Sequence, residues 1–551
     1  MQDRNLEPIA STGYSFFADS ICTYSTFGMD RLDIISAAAK YATAILSTYI
    51  LVLWGHRMLL HPLKSYPGPF LAKLTDAYAG YYVLRQTLHL TTWQNHVKYG
   101  PVLRHGPNRL VFNSVSALHD IYLSERSNKS STYDLTRQAS GTSNVWNTID
   151  KNSHRRKRRL VGYGITERAM RLFEPTMTSQ IDIFLQNIRS SEDQPVNIAT
   201  SLKLLTVDIV SLLGFGYPLN TQTETKDRWM ADGLVEGNMI INSFINFPAL
   251  RYSRVDVIME MLGGEGNAQY EELLSRMVNT RLAQKKDAQP DLFASIHGNG
   301  DLEGDITVPQ SEIWQEAVFF IPAGADTVSA AISSLLFYLS SNPKIHAKLA
   351  NEIRSAFTSG RDICGGPILN GCYYLRACID EALRMSPPVA GTLWREPCGD
   401  EPLIVDGHVI PAGTQVGVCT YALHHNEEYF PDPFSYKPER WLTSGAADAD
   451  GDIRRKRMHS AFVPFSLGSR SCPGKSMAYL EMSLVLGKLI WYFDIERAPG
   501  DQGQVGRRDV KVPSTGATAY EFALYDIFVS NYNGPYLVFK PRPTCEELAS
   551  S

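Results

Sequence analysis

The chain of 551 residues is 44% hydrophobic and 20% charged, enough apolar material to bury a large core together with a cofactor. A net charge of −4 leaves no basic excess to neutralise phosphates, which excludes a nucleic-acid partner. Eight cysteines without CxxC or other zinc-like spacing exclude a disulfide or zinc scaffold and fit a reducing compartment.

The first element is an apolar run over 37–54, uncharged from Tyr41 onward and interrupted only by Lys40. A membrane span needs roughly 20 such residues, and a lysine near its end can snorkel. Asp30 and Asp33 precede the run while His56, Arg57, Lys64 and Lys73 come after it, so the positive-inside rule places the chain beyond the run in the cytoplasm. A cleaved signal peptide would begin nearer Met1 and end in small residues; a buried helix of the globular part is the competing reading. The expected organisation is a lumenal segment over 1–33, a transmembrane anchor over 34–54, a hinge over 55–70 built on Tyr66-Pro67-Gly68-Pro69, and a catalytic domain over 71–551. Length alone suggests about three or four domains, but candidate site residues scatter from His154 to Cys472, so one long domain must gather them.

Helical periodicity predicts helices over 166–187, 271–284, 311–341, 343–357, 373–385 and 475–492. Strand-like stretches are few: a hairpin of 403–405 and 409–410 about a turn at Asp406-Gly407-His408, and a strand over 414–420. Polar segments over 298–305, 445–452 and 500–508 read as surface loops. The fold class is mainly α with a minor β portion.

Four motifs stand out along the chain. His154-Arg155-Arg156-Lys157-Arg158-Arg159, read alone, is a solvated basic face or a nuclear-localisation run. Ala323-Gly324-Ala325-Asp326-Thr327 lies inside the helix predicted over 311–341, with Pro322 and Gly324 two residues apart. Glycine costs a helix interior about 1 kcal/mol and proline about 3, so a kink and some local compensation are expected, with freed carbonyls holding water over a groove. Glu381 and Arg384 share a helix face at i, i+3 spacing, which by itself means a surface pair worth under about 1 kcal/mol. Last comes Phe465-Ser466-Leu467-Gly468-Ser469-Arg470-Ser471-Cys472-Pro473-Gly474, running directly into a helix. A cysteine on a loop that opens a helix has N–H groups and a dipole that favour the thiolate; the plain alternative is a buried small hydrophobe. The nearby Gly474-Lys475-Ser476 only imitates a phosphate loop, because one residue too many separates it from Gly468 and Pro473 removes a backbone donor.

The cysteine string matches FxxGxRxCxG, the haem-binding pattern of cytochromes P-450, at every fixed position, and the chain resembles that family from the Pro-Gly-Pro segment to the helix beyond Cys472. The resemblance implies the cytochrome P-450 fold preceded by a single N-terminal transmembrane helix, and haem b (iron protoporphyrin IX) with Cys472 as the axial ligand. Phe465 would shield the sulfur, Gly468 and Gly474 would let backbone approach the macrocycle, and Arg470 would answer a propionate. His154 and Arg158 would replace the usual WxxxR pair, histidine standing where tryptophan is common, and Arg395 matches a further propionate-binding arginine. Ala323 to Thr327 match [AG]GxDT, with Ala323 and Gly324 beside the cofactor and Asp326 and Thr327 catalytic. Glu381 and Arg384, with Arg440 of Pro438-Glu439-Arg440-Trp441, would brace the haem loop.

The activity so implied is insertion of one atom of O2 into a hydrophobic small molecule, with electrons from NADPH through a separate NADPH–cytochrome reductase and cytochrome b5 as a second donor. His61-Pro62-Leu63 and Tyr66-Pro67-Gly68-Pro69 most resemble fungal members that tailor secondary metabolites, and the expected site is the endoplasmic reticulum membrane with the catalytic domain facing the cytoplasm. Two other readings compete: a haem-thiolate isomerase or dehydratase that needs no O2, and a non-enzymatic membrane protein carrying haem. The presence of Asp326 and Thr327 counts against both.

Overall fold

The computed structural model describes residues 31–137, 142–253, 255–285, 291–293, 310–442 and 449–549. The predicted loop over 298–305 and most of the expected lumenal segment lie outside the described residues. The chain divides into two compact units, Met1–Leu60 and His61–Ser551.

In the first unit, helix α1 (Arg31–Leu59) holds an apolar stretch, Ile34–Leu59, whose mean hydropathy of 1.4 comes with no residue buried. At about 1.5 Å per residue, these 26 residues exceed the roughly 30 Å of a hydrocarbon core. The helix therefore runs through 55–59, which were expected to be hinge. The remainder of that hinge belongs to the second unit. Leu63 is buried, Arg104 N donates to Pro67 O at 2.7 Å, and a side chain on Gly68 would collide with the Arg104 carbonyl.

The second unit is built on helices α2 (Lys151–Gly164), α3 (Glu167–Arg189), α4 (Ile198–Phe215), α5 (Trp229–Asn246), α6 (Val255–Leu282), α7 (Gln310–Ser341), α8 (Pro343–Ala356), α9 (Tyr373–Met385) and α10 (Lys475–Tyr492). Their starts obey the capping rules: the Asp150 side chain accepts from Ser153 N at 2.7 Å and Thr166 Oγ1 from Ala169 N at 3.2 Å. Met170, Phe173, Met177, Ile181, Phe184 and Ile188 turn one apolar stripe of α3 inward. Helices α4 and α7 are apolar enough to cross a membrane but are largely buried inside the protein, where they pack along each other as the centre of the main core.

Beta structure is limited to short strands. Strands β1 (Val102–Gly106), β2 (Arg109–Phe112), β3 (Ser127–Lys129), β5 (Arg395–Pro397) and β8 (Gln415–Val418) form a sheet in the order β1-β2-β8-β5-β3, with β2 and β8 parallel. In the antiparallel β3–β5 pair Lys129 stands opposite Arg395. β4 (Val196–Asn197), β9 (Phe493–Arg497) and β12 (Tyr536–Pro541) make a second sheet, and β10 (Arg507–Lys511) pairs with β11 (Thr518–Phe522).

The predicted hairpin is β6 (Leu403–Val405) with β7 (His408–Ile410), its turn only Asp406-Gly407, both at positive φ as a two-residue turn requires. His408 is thus strand, not turn. The strand predicted over 414–420 stops at Val418, because Thr420–His424 is a helical turn. Two predicted loops are partly regular: Ala449–Ala461 is helical, and 500–508 holds the 3-10 turn Gly500–Gln504 and the start of β10.

Candidate active site

Cys472 sits between the 3-10 turn Gly468–Arg470 and the first turn of α10. The loop folds back on itself as Cys472 N donates to Phe465 O at 2.9 Å and Ser471 N to Gly468 O at 3.1 Å. Gly468 has φ 72°, and a Cβ there would collide with the Tyr122 carbonyl; left-handed backbone and close approach both demand glycine. Its partner is thus another stretch of protein backbone, whereas a Cβ on Gly474 would meet only Cys472 Sγ, at an ordinary 4.0 Å. Phe465 lies 5.2 Å from the Tyr479 ring. The cysteine is open to solvent on one side and crowded by protein on the others. That crowding raises the thiol above its ordinary value, against the Gly474 N–H, Arg158 and Lys475. Helix start and cations alone therefore do not yield the thiolate expected from sequence; a metal ion, which deprotonates a coordinating thiol, would complete it.

Next to the loop is a cluster of cations. Arg158 donates to the Ser471 carbonyl beside Cys472. Arg470 donates to Thr148 O at 2.5 Å, Ile149 O at 2.7 Å and Asn128 Oδ1 at 3.0 Å. Arg395 is buried, with its guanidinium 4.9 Å over the Tyr122 ring. His154 is buried among them: desolvation, then Arg470, Lys129, Arg158 and Arg395, push it down to about 3, so it is neutral. Among the described residues no carboxylate forms an ion pair with Lys129, Arg158, Arg395 or Arg470, and Asp150 acts on Arg470 only at a distance. Cations so placed without an anion are costly. The two propionates of a haem would supply the missing charge, beside a sulfur suited to its iron, so the residues present fit the group.

The rest of the basic run is not a uniform solvated face. Arg155 and Arg159 are exposed, but Arg156 pairs with Glu312, and buried Lys157 bridges Glu312 at 2.5 Å and Glu316 at 3.0 Å, fastening α2 to α7.

Behind the loop, Glu381 and Arg384 are fully buried and bidentate, with both bonds at 2.9 Å. Arg440 Nε donates to Glu381 Oε1 at 2.9 Å, Trp441 Nε1 to Oε2 at 3.0 Å, and Lys437 N to Oε1 at 3.0 Å. His424, which sequence reasoning missed, extends the network: Arg384 donates to its carbonyl at 2.9 Å, and its Nε2 accepts from Val463 N at 3.0 Å, two residues before Phe465.

On α7, Ala323 and Thr327 lie one turn apart and remain partly open, whereas Ala325, Asp326 and Val328 are buried. Thr327 Oγ1 donates to the Ala323 carbonyl at 2.8 Å. Gly324 is partly open as well, and a Cβ there would come within 2.5 Å of Val210 on α4, so helix packing alone already requires glycine at this position. Asp326 accepts from Asn238 Nδ2 of α5 at 2.8 Å. Burial raises it to about 6, against Lys203 and that bond. Pro322 deprives the Val318 carbonyl of its helical donor, and the Tyr270 hydroxyl of α6 replaces it at 3.2 Å. The expected compensation is thus a tyrosine, where water was expected. One turn before Ala323, Phe319 stacks on Trp146 at 6.0 Å, and Phe528 meets Trp146 edge-on at 5.0 Å.

The cytochrome P450 family model matches residues 67–511. The chain is 33% identical, over 88% of its length and 95% of the relative, to the cytochrome P450 monooxygenase apf7 of Gibberella fujikuroi. It is 34% identical to the cytochrome P450 monooxygenase poxM of Penicillium oxalicum, over 92% and 96%, and 30% identical to the trichothecene C-15 hydroxylase of Fusarium sporotrichioides, over 82% and 91%.

Proposed function

This chain belongs to the cytochrome P450 family, and from that premise we propose the roles of its residues and the partners of its reaction. The chain is a haem-dependent monooxygenase that acts on hydrophobic small molecules with electrons from a redox partner. Cys472 would bind the haem iron through its sulfur, and Arg158, Arg395 and Arg470 would hold the propionates, with neutral His154 donating beside them. Bound haem supplies the centre at which O2 is split, one oxygen atom entering the substrate and the other leaving as water.

The protein's own part is positioning and proton supply. The Thr327 proton is committed to the Ala323 carbonyl, which can only accept, so the hydroxyl oxygen is left to accept from a water and hold it on the open face of α7. Asp326, on the buried side of the same turn and titrating near 6, is matched to give and regain protons close to neutral pH. Glu381, Arg384 and Arg440 fix the loop that carries Cys472. Trp146, Phe319 and Phe528 give the substrate an aromatic wall.

The electrons come from NADPH through a separate flavoprotein reductase, or from cytochrome b5, docking where Arg155 and Arg159 are exposed. α1 anchors the chain in the endoplasmic reticulum membrane, leaving the catalytic unit in the cytoplasm. Kinship with fungal monooxygenases, a trichothecene hydroxylase among them, supports a tailoring step on a secondary metabolite. The observation that carries the reading is the cation cluster without an anion, joined through Arg158 and Ser471 to the loop of Cys472. The test is the reduced carbon monoxide spectrum: the parent should give the thiolate-type band and Cys472→Ser should lose it together with NADPH-driven product. A variant that keeps both would overturn the ligand assignment.

A further inference from the structure

A small cavity, lined by none of the clustered cations, lies between the helix Leu88–Tyr99, α5 and a loop closed where Tyr525 and Asn531 exchange two backbone bonds at 2.8 Å. It measures about 10 Å³, room for about one water-sized group. Asp526 is fastened into its side: its N–H donates to Gln86 O at 2.8 Å, and its carbonyl and Oδ1 accept from Asn242 Nδ2 at 3.0 and 3.3 Å. Phe528 N donates to the same Oδ1 at 3.4 Å. Oδ2 has no side-chain hydrogen bond among the described residues, and His89 Nδ1 stands 3.9 Å from it, too far for a direct one. His89 is fully buried, and neither of its ring nitrogens has a hydrogen-bond partner. Burial and then Arg508 hold it well below its usual value, so it is neutral. Burial raises Asp526 only to about 6, against the Phe528 and His89 N–H groups and Asn242, which leaves it ionised at neutral pH. A carboxylate oxygen and an unmet imidazole thus face one gap, and leaving both dry is costly.

We propose that His89 and Asp526 anchor one hydroxyl group of a hydrophobic substrate whose body lies along the aromatic wall, and so fix which carbon is presented for oxidation. The assignment rests on the monooxygenase reading above. Phe528 joins the two regions, because it lines the cavity while its ring meets Trp146 edge-on. An oxygen about 2.8 Å from both Oδ2 and Nδ1 would span their 3.9 Å separation at an angle of about 90°, within reach of a hydroxyl that donates to the first and accepts from the second. A hydrocarbon leaves both groups unpaired. A ketone, which only accepts, sets its oxygen against the carboxylate. Gly391 keeps the gap open, since a Cβ there would stand 3.3 Å from Oδ2.

The test titrates full-length holoenzyme with adamantane and androstane, each beside its secondary alcohol and the matching ketone, reading the haem spin-state shift and equilibrium dialysis. The alcohol of at least one skeleton should bind about ten- to hundredfold more tightly than its hydrocarbon, as one hydrogen bond to a charged group is worth. In Asp526→Asn the bonds from Asn242 and Phe528 keep the amide oxygen at the Oδ1 position and turn its N–H groups to the gap, so the ketone should overtake the alcohol. A merely loosened fold would not give that reversal. Gly391→Ala leaves the carboxylate in place and should bring alcohol and hydrocarbon within about threefold of each other; it decides the matter if Asp526→Asn does not retain haem. A parent without alcohol preference assigns the gap to a resident water and overturns the anchor, as does an Asp526→Asn enzyme that still prefers the alcohol or a Gly391→Ala enzyme with the parental preference. A parent without the thiolate-type carbon monoxide spectrum would instead refute the haem–thiolate reading.

Discussion

Replacing Glu381 by alanine should be among the most damaging single changes available in this chain. Its carboxylate accepts five hydrogen bonds, three on Oε1 from Arg384, Arg440 and Lys437 N and two on Oε2 from Arg384 and Trp441. With Glu381 and Arg384 fully buried, its removal leaves two guanidinium groups facing each other in a dry interior. Removing one partner of a buried pair costs about 3–5 kcal/mol, against a typical total stability of about 5–15. Much of the protein should therefore fail to retain haem. Arg440→Ala should be far milder, about 1–2 kcal/mol, because Arg384 still satisfies Glu381 from both oxygens. Glu381→Gln should resemble the alanine variant, since its amide would present a donor to a guanidinium. Haem content per mole of protein and thermal unfolding of the loaded enzyme measure the series. Full haem content in Glu381→Ala, or equal losses in Glu381→Ala and Arg440→Ala, would refute the reasoning.

Thr327→Ala should keep the carbon monoxide spectrum while product per NADPH falls several-fold and hydrogen peroxide rises; unchanged coupling would mean that the hydroxyl holds nothing the reaction needs. Asp326, protonated below about pH 6 and ionised above it, should impose a decline in coupled turnover as pH rises through 6, and Asp326→Asn should be slower and show no such limb. The folded state holds this proton more tightly than the unfolded chain, so ionisation costs stability as pH climbs from about 4 to about 6; Asp326→Asn should accordingly be the more heat-stable protein at pH 8, by no more than about 3 kcal/mol, and a variant less stable there would contradict the raised value. Deleting residues 1–60 should move the protein from the membrane to the soluble fraction with haem retained, whereas a deletion that also removes buried Leu63 should lower its melting temperature. Tyr270→Phe strands the Val318 carbonyl and should cost about 1–2 kcal/mol; an unchanged melting curve would show that water substitutes freely.

What was legible in the sequence is what is local. α9 and α10 occupy 373–385 and 475–492 as periodicity placed them, and the cysteine loop falls between them and leads straight into α10. What was not legible depends on partners far along the chain. The packing demand on Gly324 was hidden because nothing nearby in sequence announces Val210, more than a hundred residues earlier, against which a side chain there would collide. Arg156 and Lys157 read as surface because their acids, Glu312 and Glu316, lie on another helix. Lys129 and His424 carry no motif at all; each is defined by burial and by what surrounds it. The bounds of the expected hinge were blurred for a simpler reason: proline and glycine mark a bend, but neither where the preceding helix stops nor whether the bend is docked, as Gly68 is against Arg104.

The seating of Gly468 on the Tyr122 carbonyl has a consequence for how variation in this enzyme should be read. That tyrosine's hydroxyl donates to Leu393 O at 2.9 Å and accepts from Val418 N at 3.1 Å, and its ring underlies Arg395. A single residue thus links the rim of the sheet to the cysteine loop, by backbone on one side and side chain on the other. In a library of random variants, position 468 should tolerate no residue but glycine, and the cause would be an oxygen of the main chain rather than anything the enzyme does to its substrate. Intolerance there is a measure of docking, and an engineer seeking altered chemistry gains nothing by searching that position.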